Sequence, residues 1–232
     1  MKQLFVKICG ITRAQDADLA AGLGANALGF VFWPNSPRYI SADAAKAIAA
    51  TVPAHVLKVG VFVDQPVEEV ARIMADVGLD AAQLHGHESP QYCRDLTVRL
   101  KADPTDNIRS DGRVESDTPV GSAFRRTVIK AIGMTNNGSA NIADFDHDVM
   151  LLVDAHDPEK HGGTGKTVNW DAAREIAATR RTILAGGLNA ANVKLAVRSV
   201  RPYGVDVSSG VESAPGVKDP NRLRAFFEAL HD

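Results

Sequence analysis

Short apolar, β-branched runs recur along the chain, and each is followed by apolar residues spaced as on one face of a helix. These runs predict eight strands: Leu4–Cys9, Ala27–Phe32, Leu57–Val63, Ala81–Leu84, Val128–Ile132, Met150–Asp154, Thr182–Ala185 and Tyr203–Val207. Such alternation predicts parallel strands joined by helical crossovers. Eight units of this kind close into an α/β barrel, so we predict a single-domain (β/α)8 TIM barrel over residues 1–232. The main alternative, an open doubly wound sheet, lacks its Gly-x-Gly-x-x-Gly fingerprint after the first strand.

Local signals mark several helix ends. Thr12 and Gln15 have the spacing of a capping box, which predicts a helix start at this point. Three helices are expected to place a proline at their first residue, namely Pro66, Pro90 and Pro220. Gly78 is predicted to end a helix whose buried face carries Val67, Val70, Met74 and Val77.

One segment breaks the alternation. Residues 101–126 are polar and charged and have no periodicity. Long inserts without structure are uncommon inside compact domains. We interpret this one as a surface excursion before the fifth strand, on the face of the barrel away from the strand ends that would carry chemistry.

Composition argues against several classes of partner. The formal net charge of −2 gives no basic field to attract nucleic acid or an anionic membrane. Two cysteines, Cys9 and Cys93, make no disulfide framework and favour a reducing compartment. The first residues lack a signal-peptide pattern, and no apolar run approaches the roughly 20 residues that span a bilayer. We therefore expect a soluble, cytoplasmic protein.

The residues that could carry chemistry lie where the predicted strands end, which is where barrel active sites are built. The candidates are Cys9, Arg38, Gln83, His85, Asp154 and Asp206. Strand alternation puts Lys7 on the side of Cys9, and Asp206 on the side of Ser208. A buried unpaired charge is costly, so Lys7 and Asp206 are expected to pair if that side faces inward.

Two neighbouring glycine turns predict a phosphate site. Gly186 and Gly187 follow the seventh strand, and Ser208, Ser209 and Gly210 follow the eighth. Backbone N–H groups at such turns hold anions, and barrels often bind phosphate in the loops after strands seven and eight.

Other interpretations remain open at this point. His85 and His87, with His156 near Asp154, could instead form the metal site of a barrel hydrolase. The phosphate turns alone would suit a non-catalytic protein that binds a sugar phosphate. The segment "GTGKT" ends like a P-loop, but Lys160 stands where that motif needs glycine, so a glycine-rich lid is the better interpretation.

Motifs along nearly the whole chain resemble the phosphoribosylanthranilate isomerase family. They are, in order, "KICGIT", "GFVFWPNSPRYI", "VGVFVDQ", "QLHG", "VDA", "GGTGKTVNW", "LAGGLNAANV", "GVDVSSGVE" and "GVKDP". The chain departs from the family pattern in residues 101–126, and in Val168 and Asn169, where the family more often has Phe-Asp.

The resemblance implies an Amadori rearrangement of a sugar-phosphate substrate in tryptophan biosynthesis. By this resemblance Cys9 is the base, Asp154 the acid, and Arg38 the holder of the anthranilate carboxylate. Gln83, His85 and Asp206 become candidate substrate contacts. Neither a metal nor an organic cofactor is implied, and the chain would act as a monomer or homodimer. Lys7, or another group that the sequence cannot place, would have to favour the Cys9 thiolate, because an adjacent cation lowers a thiol pKa.

Overall fold

A computed structural model describes residues 4–101, 126–133, 142–154 and 170–231. Three predictions therefore lie outside the described residues. They concern the polar segment, apart from its ends Lys101 and Arg126, the candidate metal ligand His156, and the glycine-rich segment 157–167.

Eight parallel strands form a closed barrel in which each strand pairs with the next and the last pairs with the first. They are β1 (Phe5–Cys9), β2 (Ala27–Val31), β3 (Leu57–Phe62), β4 (Ala81–Leu84), β5 (Thr127–Gly133), β6 (Met150–Asp154), β7 (Thr182–Ala185) and β8 (Gly204–Val207). The predicted barrel is confirmed, and every strand lies within one residue of its predicted ends.

Helices cover the outside of the barrel. They are α1 (Ala14–Gly22), α2 (Ala42–Ala49), α3 (Val67–Val77), α4 (Pro90–Lys101), α5 (Trp170–Thr179), α6 (Val193–Val200) and α7 (Pro220–His231). Two short 3-10 helices span Ile142–Asp144 and Ser209–Val211, and β9 (Glu212–Ala214) pairs antiparallel with β10 (Val217–Lys218). Within the described ranges, no helix has the length and apolar character needed to cross a membrane.

Most predicted helix ends are confirmed. Pro90 and Pro220 are the first residues of α4 and α7, whereas Pro66 directly precedes α3. Gly78 ends α3 in the left-handed conformation, with φ of 72°. That conformation suits glycine because it has no Cβ to clash with the backbone.

The capping box is wrong. Helix α1 begins at Ala14, after Arg13, and no side chain caps it. The Thr12 hydroxyl instead donates to the carbonyl of Gly216, in the turn between β9 and β10. The Thr12 hydroxyl therefore bonds to a residue far away in the sequence and does not provide the helix cap that the local pattern predicts.

Alternate strand residues fill the barrel interior with apolar side chains, including Phe5, Leu57, Ile129, Met150, Leu152 and Ile183. Lys7 and Asp206 come next toward the carboxyl ends, and both are buried. They are register partners on β1 and β8, and Lys7 Nζ lies 2.9 Å from Asp206 Oδ1. The predicted ion pair is therefore confirmed.

Arg180, directly after α5, holds the connection that leads into β6. Its guanidinium donates to the carbonyl oxygens of Ile142, Phe145, Asp146 and Val149. The Arg180 side chain thus supplies hydrogen bonds to four backbone carbonyls of this connection, whose described part has only a 3-10 helix as regular structure.

Replacing Arg180 with alanine should lower the free energy of unfolding by about 2–3 kcal/mol, because four carbonyls lose a charged donor. For a chain of this size we expect Tm to fall by roughly 5–10 °C in thermal unfolding followed by circular dichroism. The control is Arg174→Ala on α5, whose exposed ion pair with Asp171 should contribute about 0.5 kcal/mol or less. Equal Tm values for the two variants would contradict this role.

Candidate active site

The predicted site residues meet at one mouth of the barrel. Cys9 ends β1 and Asp154 ends β6, while Gln83 and Asp206 lie in β4 and β8 and His85 follows β4. Parallel strands of a closed barrel all end at the same face, so these groups surround one opening. Loss of hydration there lowers the pKa of His85, and the carboxylates of Asp154 and Asp206 oppose that shift. Both carboxylates are therefore close enough to act on the same imidazole.

The Lys7–Asp206 pair forms the charged floor beneath Cys9. Burial by itself would lower the pKa of Lys7, but Asp206 and Cys9 outweigh burial and raise it. Lys7 therefore remains an ammonium group although its side chain is fully buried.

Lys7 acts on the pKa of Cys9 in the expected direction, but its effect does not decide the ionisation of the thiol. Burial raises the pKa of the Cys9 thiol, the charge of Lys7 lowers it, and Asp206 raises it again. The net pKa lies above the ordinary value for a thiol. Because the cation is shared with Asp206, it does not turn Cys9 into a thiolate at neutral pH in the ligand-free chain.

Gly29 of β2 leaves the space in which Cys9 and Lys7 meet. A Cβ added at Gly29 would lie 2.9 Å from Cys9 Sγ and 3.1 Å from Lys7 Nζ. Both distances are shorter than side chains tolerate without moving. Cys9 and Lys7 can therefore keep their positions only if residue 29 is glycine.

Gly29→Ala should therefore displace the thiol or the ammonium and lower kcat by about 10–100-fold, since small misplacements of reacting groups have effects of this size. Gly22→Ala is the matched control, because a Cβ there meets nothing within 4 Å. Steady-state kinetics of both variants, with Tm measured alongside, test the prediction. A Gly29→Ala enzyme with normal kcat would show that the thiol position is not critical.

Gly10 explains why glycine follows Cys9. Its φ of 78° lies in the left-handed region. A Cβ at Gly10 would lie 2.6 Å from Arg38 Cδ and 3.1 Å from Ser208 Oγ. The turn after Cys9 thus packs directly against the arginine side chain and the first residue after β8. Ser208 Oγ is buried and has no hydrogen-bond partner among the described residues.

Arg38 already binds a carboxylate of the chain itself, which sequence reasoning missed. Its Nε lies 3.0 Å from Glu212 Oε1, and its Nη2 lies 2.6 Å from Glu212 Oε2. Burial by itself would raise the pKa of Glu212, but hydrogen bonds from Arg38 and Lys218 outweigh it and lower the pKa. Glu212 is therefore ionised at neutral pH. The contact of Arg38 with a substrate carboxylate stays a prediction.

Gln83 in β4 and His85 in the turn after it are in contact, with Gln83 Nε2 and His85 Nδ1 3.0 Å apart. A buried ion pair that sequence reasoning missed supports this turn. Lys130 Nζ lies 2.8 Å from Glu88 Oε2 and donates to the carbonyl of Gly86 at 2.7 Å. The available signal was a single lysine within the apolar run of β5.

Among the described residues, His85 and His87 belong to no group of side chains that could hold a metal ion. His87 is almost fully exposed, and its Nδ1 lies 3.1 Å from Asp64 Oδ2. His156 lies outside the described residues. Within the part of the chain that the structure describes, no three His, Cys, Asp or Glu side chains are arranged to hold a metal ion.

The two predicted phosphate turns touch each other. Gly186 and Gly187 follow β7 with φ of 94° and 62°. Gly210, in the 3-10 helix Ser209–Val211, passes so close to Leu188 that a Cβ would collide with its carbonyl oxygen. The turns after β7 and β8 therefore form one continuous surface at the barrel mouth.

Comparison with known proteins identifies one family. The model described as N-(5'phosphoribosyl)anthranilate (PRA) isomerase matches residues 6–109 and 113–229. Two curated relatives are named N-(5'-phosphoribosyl)anthranilate isomerase. The one from Pelobacter propionicus is 41% identical and covers 96% of this chain and 93% of its own. The one from Desulforudis audaxviator is 42% identical and covers 98% of each.

Solved structures agree with the relatives. A phosphoribosyl anthranilate isomerase from Thermotoga maritima has a TM-score of 0.77 at 36% identity, over 99% of both chains. A second isomerase structure, in complex with reduced 1-(o-carboxyphenylamino)-1-deoxyribulose 5-phosphate, has a TM-score of 0.76 at 34% identity, again over 99% of both chains. A further Thermotoga maritima structure, at 33% identity, TM-score 0.72 and 99% coverage of both chains, is of monomers generated from a dimeric isomerase.

Proposed function

Because the chain belongs to the N-(5'-phosphoribosyl)anthranilate isomerase family, we propose that Cys9 and Asp154 carry out its reaction as general base and general acid. The chain is an aldose–ketose isomerase of tryptophan biosynthesis that rearranges N-(5-phosphoribosyl)anthranilate to 1-(2-carboxyphenylamino)-1-deoxyribulose 5-phosphate. The observation that carries this conclusion is the match of the family over nearly the whole chain.

The reaction needs two proton transfers, which suit two titratable groups at the ends of β1 and β6, on the same face of the barrel. Asp154 gives a proton to the furanose ring oxygen, the C1–O bond breaks, and a Schiff base forms between C1 and the anthranilate nitrogen. Cys9 removes the C2 proton, and the electron pair moves to give an enolamine. The enolamine then loses its C2 hydroxyl proton and gains one at C1, which leaves the ketone. Protons only change places, so neither a metal nor an organic cofactor is needed.

The raised pKa of Cys9 suits this role in one respect. A C–H proton is weakly acidic, and a thiolate of higher pKa is a stronger base toward it. The thiolate is then the minor form at neutral pH, so the rate reflects a small but strongly basic population.

The remaining candidates are proposed as substrate contacts. The turns at Gly186–Gly187 and Ser208–Gly210 would hold the phosphate, since they offer backbone N–H groups beside the start of α6. Arg38 would hold the anthranilate carboxylate by the bidentate geometry that a guanidinium allows. Gln83, His85 and Asp206, in or directly after β4 and β8, would contact the rest of the substrate.

The test is to mix chelator-treated protein with freshly made phosphoribosylanthranilate and follow the loss of anthranilate-type fluorescence. We expect rapid decay to the deoxyribulose product without added metal. Folded protein that gives no decay above the spontaneous rate would overturn the proposal. Decay that appears only after a divalent metal is added would contradict cofactor-free acid–base catalysis.

We further propose that the enzyme acts in the cytoplasm on a free small-molecule substrate, as one domain over residues 1–232. The two cysteines are both free and buried, in agreement with a reducing compartment. A monomer or a homodimer would suit this site, and a relative from Thermotoga maritima is described as dimeric.

A further inference from the structure

A buried lysine joins the two strand ends at the centre of the site. Lys218, at the end of β10, is fully buried, and its Nζ lies 2.8 Å from Glu212 Oε1. The same ammonium donates to the carbonyl of Cys9 and, at 3.4 Å, to the carbonyl of Ser208. An ammonium has three donors. All three are used here, and two of them hold the backbone of the proposed base and of the proposed phosphate turn.

Glu212 carries this connection on to Arg38. It binds the edge of the guanidinium that carries Nε and Nη2. Arg38 Nη1 makes no hydrogen bond to any described residue. A guanidinium has five N–H donors in a planar fork. The end edge, formed by Nη1 and the second hydrogen of Nη2, therefore remains able to receive another carboxylate in bidentate fashion.

Both carboxylate oxygens of Glu212 are occupied. Oε1 also accepts the backbone N–H of Gly216 at 3.3 Å, in the turn between β9 and β10. The Glu212 side chain is only 3% exposed. A fully bonded, buried carboxylate holds its partner in one orientation, whereas an exposed arginine would sample many.

The buried ion pair between Lys218 and Glu212 is expected to add little to the free energy of unfolding. Desolvation of two charges offsets much of their attraction, and apolar replacements of such pairs are often equally stable. The pair does, however, fix the positions of the groups that it contacts. Lys218 also acts on Cys9 by charge, since its ammonium lowers the thiol pKa against the effect of burial.

We propose that Lys218 and Glu212 are positioning residues of the isomerase. Lys218 fixes the end of β1 so that Cys9 Sγ faces the substrate, and Glu212 turns the free edge of Arg38 toward the anthranilate carboxylate. This inference rests on the proposed function, because it takes Cys9 as base and Arg38 as carboxylate holder. Neither positioning residue touches the substrate.

The test of Glu212 is a binding cycle with two ligands. One is reduced 1-(o-carboxyphenylamino)-1-deoxyribulose 5-phosphate, and the other is the same compound without the ring carboxylate. We expect the wild-type chain to bind the first at least about 10-fold more tightly, as for a bidentate Arg–carboxylate pair. In Glu212→Gln this ratio should fall below about 3-fold. Asp76→Asn is the control, because it breaks an exposed ion pair. The Asp76–Lys46 distance is 2.8 Å, the same as that between Glu212 and Lys218.

The outcomes of this binding cycle distinguish a failure of the positioning role from a failure of the proposed isomerase function. A wild-type chain that binds neither ligand would contradict the proposed function and this inference with it. A wild-type chain that prefers the carboxylate, and a Glu212→Gln chain that prefers it equally, would overturn the positioning role of Glu212 alone.

The test of Lys218 needs no substrate in its first part. In a Cys93→Ser background, thiolate absorbance near 240 nm reports the titration of Cys9. Lys218→Met should shift this titration to higher pH, because a cation is lost. It should also lower kcat at least about 10-fold, with a smaller change in KM. An unchanged titration together with an unchanged kcat would overturn the role of Lys218.

A variant that leaves one buried charge without its partner could fail to fold. Circular dichroism and Tm of each variant therefore accompany the assays. The double variant Glu212→Gln/Lys218→Met removes both charges and should fold where a single variant does not. The double variant is expected to show both the lower kcat and the loss of preference for the ligand with a ring carboxylate. A folded double variant with wild-type kcat and carboxylate preference would overturn the inference.

Discussion

Asp154→Asn should lower kcat by about 10²–10⁴-fold, which corresponds to about 3–5 kcal/mol of lost transition-state stabilisation. Asparagine keeps the size of the side chain at the end of β6, so the strand and its register with β7 should persist. An amide cannot give a proton to the furanose ring oxygen. The loss should therefore fall on ring opening, the step that needs an acid.

An isotope effect can show which step is affected. With substrate deuterated at C2, Asp154→Asn should show an isotope effect on kcat near 1, because ring opening precedes removal of the C2 proton and becomes limiting. Asp171→Asn serves as the control, since that side chain is exposed on α5 and should leave kcat within about 2-fold. A large C2 isotope effect in Asp154→Asn would show that removal of the C2 proton, and not ring opening, limits this variant, and would contradict the role of Asp154 as the acid of ring opening.

Local pattern was sufficient for the barrel because each strand is a short apolar run bounded by helix signals. The pairing of Lys7 with Asp206 could also be predicted, since alternation sets the side and burial of a charge demands a partner. The first argument uses only near neighbours along the chain. The second adds the general cost of burying a charge inside the predicted barrel, because Lys7 and Asp206 are 199 residues apart.

The contacts that organise the mouth could not be predicted in this way. Arg38 and Glu212 are 174 residues apart, and Lys218 reaches the carbonyl of Cys9 across 209 residues. No spacing rule connects such positions before the barrel is closed. Glu212 and Lys218 each lie two residues from a glycine and Arg38 follows a proline, and such surroundings are too common to be specific.

The ionisation of Cys9 shows a second limit. Sequence reasoning identified the cation beside the thiol and the direction of its effect correctly, but it left the net pKa of Cys9 undecided. The result depends on how burial, Lys7 and Asp206 balance at one sulfur atom. Such a balance is set by three-dimensional distances and hydration, which a linear pattern does not contain.

Cys9→Ser should lower kcat by about 10³-fold or more, because a serine hydroxyl does not ionise near neutral pH and loses the basicity of a thiolate. The fold should persist, since one sulfur is replaced by one oxygen beside Lys7. Cys93→Ser is the matched control, because Cys93 is also a free, buried thiol but lies in α4. It should lose some stability and keep kcat within about 3-fold.

Two further measurements test the role of Cys9 as the base. With substrate deuterated at C2, residual activity of Cys9→Ser should show a large primary isotope effect, because removal of the C2 proton has become limiting. Thiolate absorbance of the Cys93→Ser chain should titrate above the ordinary thiol pKa of about 8.5, since burial raises the pKa of Cys9. The sign follows from the cause, because burial disfavours the charged form and an anion then forms only at higher pH. Normal turnover in Cys9→Ser would remove Cys9 from the reaction, and titration below 8.5 would show that Lys7 outweighs burial at the sulfur.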